Sequence, residues 1–168
     1  MQKIICLVDN TTLPGTDERS EHGLSFWVET GNGCVLFDSG QTATVLAHNL
    51  ECLGLKPRGV CALALSHAHY DHTGGLDAIL LQNMGSTVYA HSDIFRPRYS
   101  LHNGEYQSIG LQFSSEALTN RAQWFLSEEP VEIFSSIWTT GEITSRTEPE
   151  GRSDHHFIRT DDGWQPDP

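Results

Sequence analysis

The chain has 168 residues, enough for one domain with its own core, and sets 10 Lys and Arg against 22 Asp and Glu for a formal net charge of −12. That balance repels phosphate backbones, and with no Lys/Arg cluster to offset it, general nucleic-acid binding is excluded. No run approaches the ~20 apolar residues of a membrane helix, and "MQKIICLVDN" reads as a first strand rather than a signal peptide, so the expected location is cytoplasmic with no membrane partner.

In chain order, "KIICLVD" (3–9) is an apolar β-rich run and 11–23 a polar loop around Pro14-Gly15, long enough to gate a site. "LSFWVET" (24–30) and "CVLFDSG" (34–40) flank Gly31-Asn32-Gly33 and predict a β-hairpin. Ala43, Leu46, Ala47, Leu50 and Leu53 recur at helical spacing, so 41–53 is a helix, with Gly54 at its C′ position. "GVCALALS" (59–66) is continuously apolar, as in a strand buried on both faces. A short helix over 76–85, closed by Gly85, and a strand over 86–91 follow. Beyond 105 the pattern predicts a strand in 105–113, a short capped helix in 114–123 and two strands in 124–143 broken at Glu128-Glu129-Pro130. The rest is polar and rich in Pro and Gly, and predicts loop. Strands alternating with helices make this an α/β chain. Cys6, Cys34, Cys52 and Cys61 form no CxxC pair and read as buried core residues in a reducing compartment. Trp27, Trp124 and Trp138 also read as core.

The chemistry concentrates in "SHAHYDHTGG" (66–75). Extended backbone leaving the buried strand puts His67, His69 and Asp71 on one side, and His72 follows at the turn into a helix. Imidazole and carboxylate donors suit zinc, and also iron or manganese. The spacing favours two divalent ions side by side, His67 and His69 on one, Asp71 and His72 on the other, ~3.5–4 Å apart. Gly74 and Gly75 leave room and permit unusual torsions. Arg96 and Arg98 are candidate phosphate-binding residues, because guanidinium forks suit phosphate. "TTGEI" (139–143) is a candidate pocket wall.

The HxHxDH motif, with "VLFDSG" (35–40) before the first helix, closely resembles the signature of the metallo-β-lactamase fold superfamily. "LVDNTT", "EHGLSFWVET", "VYAHSDIF", "SIG" and "TTGEI" in this order resemble its dihydropterin synthase-like branch. The resemblance implies a metallo-β-lactamase-like αβ/βα sandwich, here its N-terminal half plus part of the insert: residues 1–145 as the domain, 146–168 as a polar tail, disordered or the start of a second half. It implies Asp38 as an outer residue that positions metal ligands, and Asp71 as a residue that also orients the attacking water. His22 and His91 match branch positions and become candidate substrate-facing residues. In the family a second αβ half supplies further ligands. Here only His91, His102, His155 and His156 follow the motif, and the adjacent His155-His156 pair would point apart on extended backbone.

The implied function is metal-dependent hydrolysis of an ester or phosphoryl bond in a small-molecule substrate. The alternatives are dihydropterin synthase-like group transfer, lactone or thioester hydrolysis, and a non-catalytic metal-binding half-fold that needs a completing chain or a second copy.

Overall fold

The computed structural model describes residues 2–113, 115–144 and 153–167. β1 (Lys3–Val8), β2 (Ser25–Thr30) and β3 (Gly33–Phe37) form an antiparallel meander, and the expected hairpin closes with Thr30 opposite Gly33. Helix α1 (Ala43–Cys52) follows. The Thr42 side chain caps it by accepting from the Val45 N–H, and Gly54, at φ +67°, closes it in the left-handed conformation that favours glycine. Of the predicted stripe, Leu46 and Leu50 are fully buried and Ala43 and Leu53 partly so, while Ala47 is exposed and Asn49 takes a buried place instead.

β4 (Ala62–Ala64) is shorter than the strand expected over 59–66. Pro57–Gly59 form a 3-10 turn instead, a conformation that the fixed φ of proline favours. Both faces of β4 are covered: Leu63 joins the core under the helices, while Ala62 and Ala64 join the opposite one. Next come α2 (Tyr70–Thr73), α3 (Leu76–Leu80) and β5 (Thr87–Ala90), and the helix expected over 76–85 stops early.

β6 (Arg98–His102) and β7 (Glu105–Ser108) form a second hairpin. The reading missed β6 although "HNGE" carries an Asn-Gly turn signal; Asn103 and Gly104 both adopt positive φ there. α4 (Ser115–Thr119), β8 (Gln123–Leu126), β9 (Glu132–Phe134) and β10 (Ile137–Trp138) follow. The tail, expected to be loop, carries β11 (His156–Thr160) and β12 (Gly163–Pro166). β11 pairs with β6, so partners distant in sequence supply the order that local composition does not. Residues 145–152 of the tail lie outside the described residues.

Six strands build the main sheet in the order β1-β2-β3-β4-β5-β8, parallel from β3 onward. β12-β11-β6-β7 form a separate antiparallel sheet, and β9-β10 a two-stranded one. One face of the main sheet packs on α1 and α3 through Leu36, Leu46, Leu63, Leu76, Ile79 and Val88. Each such side chain contributes roughly 1.5–3 kcal/mol by leaving water. The opposite face is thinner: Val35, Ala62 and Ala64 meet Ile133 beside β10. Among the described residues no helix is long and apolar enough to cross a membrane.

Of the cysteines only Cys34 is buried; Cys6, Cys52 and Cys61 are exposed, and all four are free. Trp27 is buried, but Trp138, expected in the core, is 60% exposed. Apolar sequence neighbours do not decide which face of an edge element meets the core.

Gly74 and Gly75 serve close approach rather than special torsions: their φ values are −69° and −83°. A Cβ at Gly75 would strike the Ser39 carbonyl, and one at Gly74 the Gln41 carbonyl. Gly75→Ala is therefore expected to destabilise by about 1–3 kcal/mol, measured by denaturant unfolding. A change within about 0.5 kcal/mol would mean that the two segments do not need this contact.

Candidate metal centre

β1 runs in the same direction as β3, so both share it with β4, β5 and β8. Asn10, Asp38, Ser66-His67 and His91 all follow C-terminal strand ends and emerge at one edge of the sheet. His22, just before β2, arrives at the same edge. Crevices beyond the carboxyl ends of parallel strands are the usual ligand sites of such sheets.

Asp38 organises this edge. Its side chain is fully buried, and its backbone is held at φ +53°, a left-handed conformation that aspartate tolerates better than most residues. Oδ1 accepts from the Ser66 N–H at 2.8 Å. Oδ2 accepts from the Ser66 hydroxyl at 2.7 Å and from His72 Nδ1 at 2.7 Å. The Ser66 oxygen in turn accepts from His67 Nδ1 at 2.8 Å. One carboxylate thus orients two of the three histidines.

The structure brings together all four residues singled out in the motif. The His67 ring centroid lies 4.6 Å from that of His69 and 4.1 Å from that of His72. Asp71 Oδ2 lies 3.4 Å from His72 Nε2 and 3.3 Å from His22 Nε2. His22 also reaches Asn10 Oδ1 at 3.0 Å, so the first loop delivers its histidine to the cluster. That loop is anchored just before His22, where Glu21 accepts from Gln41 and Thr42, and Asn49 bonds both N–H and C=O of Arg19.

Three expected site residues stand apart. His91 lines a neighbouring cavity of about 720 Å³, whose wall includes Phe37, Tyr89, Ile133 and residues 139–143 and which reaches Ser66 and His67. Its Nδ1 accepts from the Asp93 N–H, and its buried Nε2 has no partner among the described residues. Arg96 and Arg98 are not free for phosphate: Arg96 pairs with Asp93 at 2.8 Å, and Arg98 is buried between Asp93 at 2.9 Å and Asp167 at 2.7 Å. Two more residues join the cluster: Asp167, which the sequence does not mark, and His156, named there only as half of a pair that would point apart. Asp167 Oδ2 lies 3.2 Å from His69 Nε2, and the His156 ring packs edge-on against His69 at 4.9 Å. No local signal marks Asp167, because the β11-β12 hairpin alone carries it across 98 positions.

Nitrogen and oxygen donors of this kind fit zinc, iron or manganese, and the anchoring of outer nitrogens by Ser66 and Asp38 is the support that ligating histidines need. The side chains are drawn into a hydrogen-bonded network, and among the described residues no three His, Cys, Asp or Glu groups are arranged to hold an ion.

Burial opposes charge on His72, but the Asp38 and Asp71 carboxylates outweigh it and raise its pKa to about 9. Burial likewise works against ionised Asp71, yet hydrogen bonding and attraction from His72 bring it down to about 2. His67, though open to solvent on one side, is pushed below the ordinary imidazole range by water lost around its ring and by His72 and His69. The stabilisation from His72 is complete below about pH 6.5 and is lost as pH rises through about 9. His67 acts oppositely: below about pH 6.5 the unfolded chain takes up a proton that the folded chain resists. Asp71 contributes above about pH 3.8 and loses that contribution as pH falls through about 2. In chelator, thermal unfolding is therefore expected to show greatest stability near about pH 6.5, with the alkaline decline flattened in His72→Asn. A stability that climbs steadily to pH ~9 would contradict this electrostatic arrangement.

A profile described as the metallo-beta-lactamase superfamily matches residues 20–160. The chain is similar to 7,8-dihydropterin-6-methyl-4-(beta-D-ribofuranosyl)-aminobenzene-5'-phosphate synthase of Methanocaldococcus jannaschii, 35% identical over 134 residues that cover 74% of this chain and 45% of the relative. It is 33% identical to an uncharacterized protein of the same organism, across 86% of this chain and 54% of that one. The chain spans about half the length of these curated relatives. Among solved structures, a metallo-beta-lactamase from Novosphingobium pentaromativorans aligns with TM-score 0.44 and 21% identity, covering 67% of this chain and 41% of that one. By the profile match over most of its length, this α/β chain belongs to the metallo-beta-lactamase superfamily.

Proposed function

We propose that the chain forms one wall of a binuclear metal centre that hydrolyses an ester or phosphoryl bond in a small molecule. In this reading His67 and His69 serve one divalent ion and Asp71 and His72 the other, with zinc favoured over iron or manganese. The observation that carries it is the grouping of these four side chains at one sheet edge, with Nδ1 of His67 and His72 engaged by Ser66 and Asp38. That engagement leaves Nε2 of His67 for a cation, while Nε2 of His72 faces the carboxylate of Asp71, its partner on the second ion in this reading. When bound, such ions make coordinated water acidic and polarise the substrate oxygen.

The remaining work falls to the chain's own groups. Asp71, held ionised at neutral pH, accepts a hydrogen bond from water in the cleft and orients it. His22, on the solvent side of Asp71, is the first imidazole that an entering substrate meets. The apolar wall of the cavity suits an uncharged body. With its free thiols, the chain suits the reducing cytoplasm.

Two further readings rest on specific observations. The 35% identity to the synthase favours group transfer involving a dihydropterin. The half-length match, together with Phe125, Trp138 and Ile143 exposed beside the cavity, favours a half-fold completed by another segment, another chain or a second copy.

Zinc titration with elemental analysis and solution mass tests the centre. About two ions per chain are expected, with about one lost in His67→Ala/His69→Ala and the other in Asp71→Ala/His72→Ala. Binding no stronger than in the fourfold variant would refute the centre. Asp71→Ala is expected to reduce hydrolysis of a simple phosphodiester or lactone at least ~100-fold, and unchanged turnover would remove Asp71 from the mechanism.

A further inference from the structure

His67 and His72 share a pattern that extends to His69 through a residue far along the chain. Each of the first two has one ring nitrogen tied to an oxygen, Ser66 Oγ or Asp38 Oδ2. At His69 the tied nitrogen is the other one, Nε2, and its oxygen is Oδ2 of Asp167 at 3.2 Å. His69 Nδ1 has no hydrogen bond among the described residues.

Asp167 does not hang loose beside the ring. Its second oxygen, Oδ1, takes the Nε–H of Arg98 at 2.7 Å. Its backbone N–H donates to the His156 carbonyl at 3.0 Å, which ties it to the strand whose first side chain packs on His69. Arg98 is only 8% exposed and is itself fixed by Asp93 Oδ2 at 2.9 Å and the Arg96 carbonyl at 3.0 Å. The planar guanidinium is held by its NH1 and NH2 groups, which fixes the direction of the Nε–H that meets Oδ1 and leaves Oδ2 of Asp167 toward His69. A charge this buried is tolerated only when paired, and two carboxylates compensate it.

We propose that Asp167, clamped by Arg98, is a positioning residue for His69. It holds the neutral ring with the proton on Nε2, so that the Nδ1 lone pair is the one presented to the cluster. The opposite tautomer would set an Nε2 lone pair against a carboxylate, which can only accept. The clamp also gives Arg98 a role: it orients a carboxylate of the same chain rather than a substrate phosphate. The consequence for cation affinity rests on the metal reading above; the tautomer does not.

The test uses the full chain and two independent readouts. In metal-free protein at about pH 8, above the ordinary imidazole range, long-range ¹⁵N–¹H NMR reports which ring nitrogens of each histidine carry a proton, with His72, whose pKa is raised to about 9, still largely protonated on both. Wild type is expected to show His69 as the Nε2–H form. Asp167→Ala should mix the tautomers of His69 while leaving His67 and His72 unchanged. Asp167→Asn should restore the wild-type signal, because its amide oxygen still accepts, and Arg98→Lys should give a mixed state. In the second arm, cobalt(II) titrated into the same proteins is expected to bind about 10–100-fold more weakly to Asp167→Ala, with recovery in Asp167→Asn. An Nδ1–H form of His69 in wild type, or a tautomer indifferent to Asp167→Ala, overturns the assignment. If Asp167→Ala disturbs all three histidines, Asp167→Asn decides: a retained Nε2–H form supports the role and a lost one overturns it. Should wild type bind no cobalt while the tautomer pattern holds, the metal reading falls and the positioning role stands.

Discussion

The buried carboxylate of Asp38 is the constraint on which the site depends. It joins three things that the chain has no local reason to bring together: the end of β3, the exit of β4 at Ser66, and the ring of His72 on α2. A charge this deep is costly unless each lone pair is used, and here they are met by a backbone N–H, a hydroxyl and an imidazole. The left-handed torsion at Asp38 is the strained element, of a kind that usually costs on the order of 1–3 kcal/mol. The bonds around Asp38 hold it in place.

Packing then converts that single anchor into a rigid edge. Glycines let backbone meet backbone where a Cβ would not fit: Gly75 against Ser39, Gly74 against Gln41, and Gly23 against the carbonyl of Asp71. The last contact fixes the backbone beneath Asp71 and the loop that delivers His22 in one step. Arginine does the same for the distant hairpin, since Arg98 links β6 to Asp167 and through it to His69. The cluster is thus supported from three sides, by β3, by the first loop and by the second sheet.

The two faces of the main sheet are unequal. The helix-covered face is a continuous aliphatic core, while the other is a short contact with the β9-β10 hairpin next to a large apolar cavity. Val35 and Ala62 on that face are already buried, but Phe37 and Tyr89 are only partly so, and they leave apolar area that a covering element would remove from water. The match spans about half the length of the curated relatives, and the thin face is where an added apolar contact would contribute most.

Much of this was legible in the sequence. Apolar runs, the Gly31-Asn32-Gly33 turn and a helical repeat located β1 to β3, α1 and β5, and the crowding of His67, His69, Asp71 and His72 after an apolar run marked the site. Residue type and spacing are local properties, and local properties survive in one dimension. What only the tertiary structure decided was pairing. "TDDGWQPDP" reads as loop until β11 finds β6, and Asp167 means nothing until that pairing sets it on Arg98 and His69. Arg96 and Arg98 read as phosphate ligands until Asp93 and Asp167 are seen to occupy them. Hydrogen bonds and ion pairs between residues tens of positions apart leave no periodic trace in a chain, so the fold alone determined which carboxylate holds which histidine.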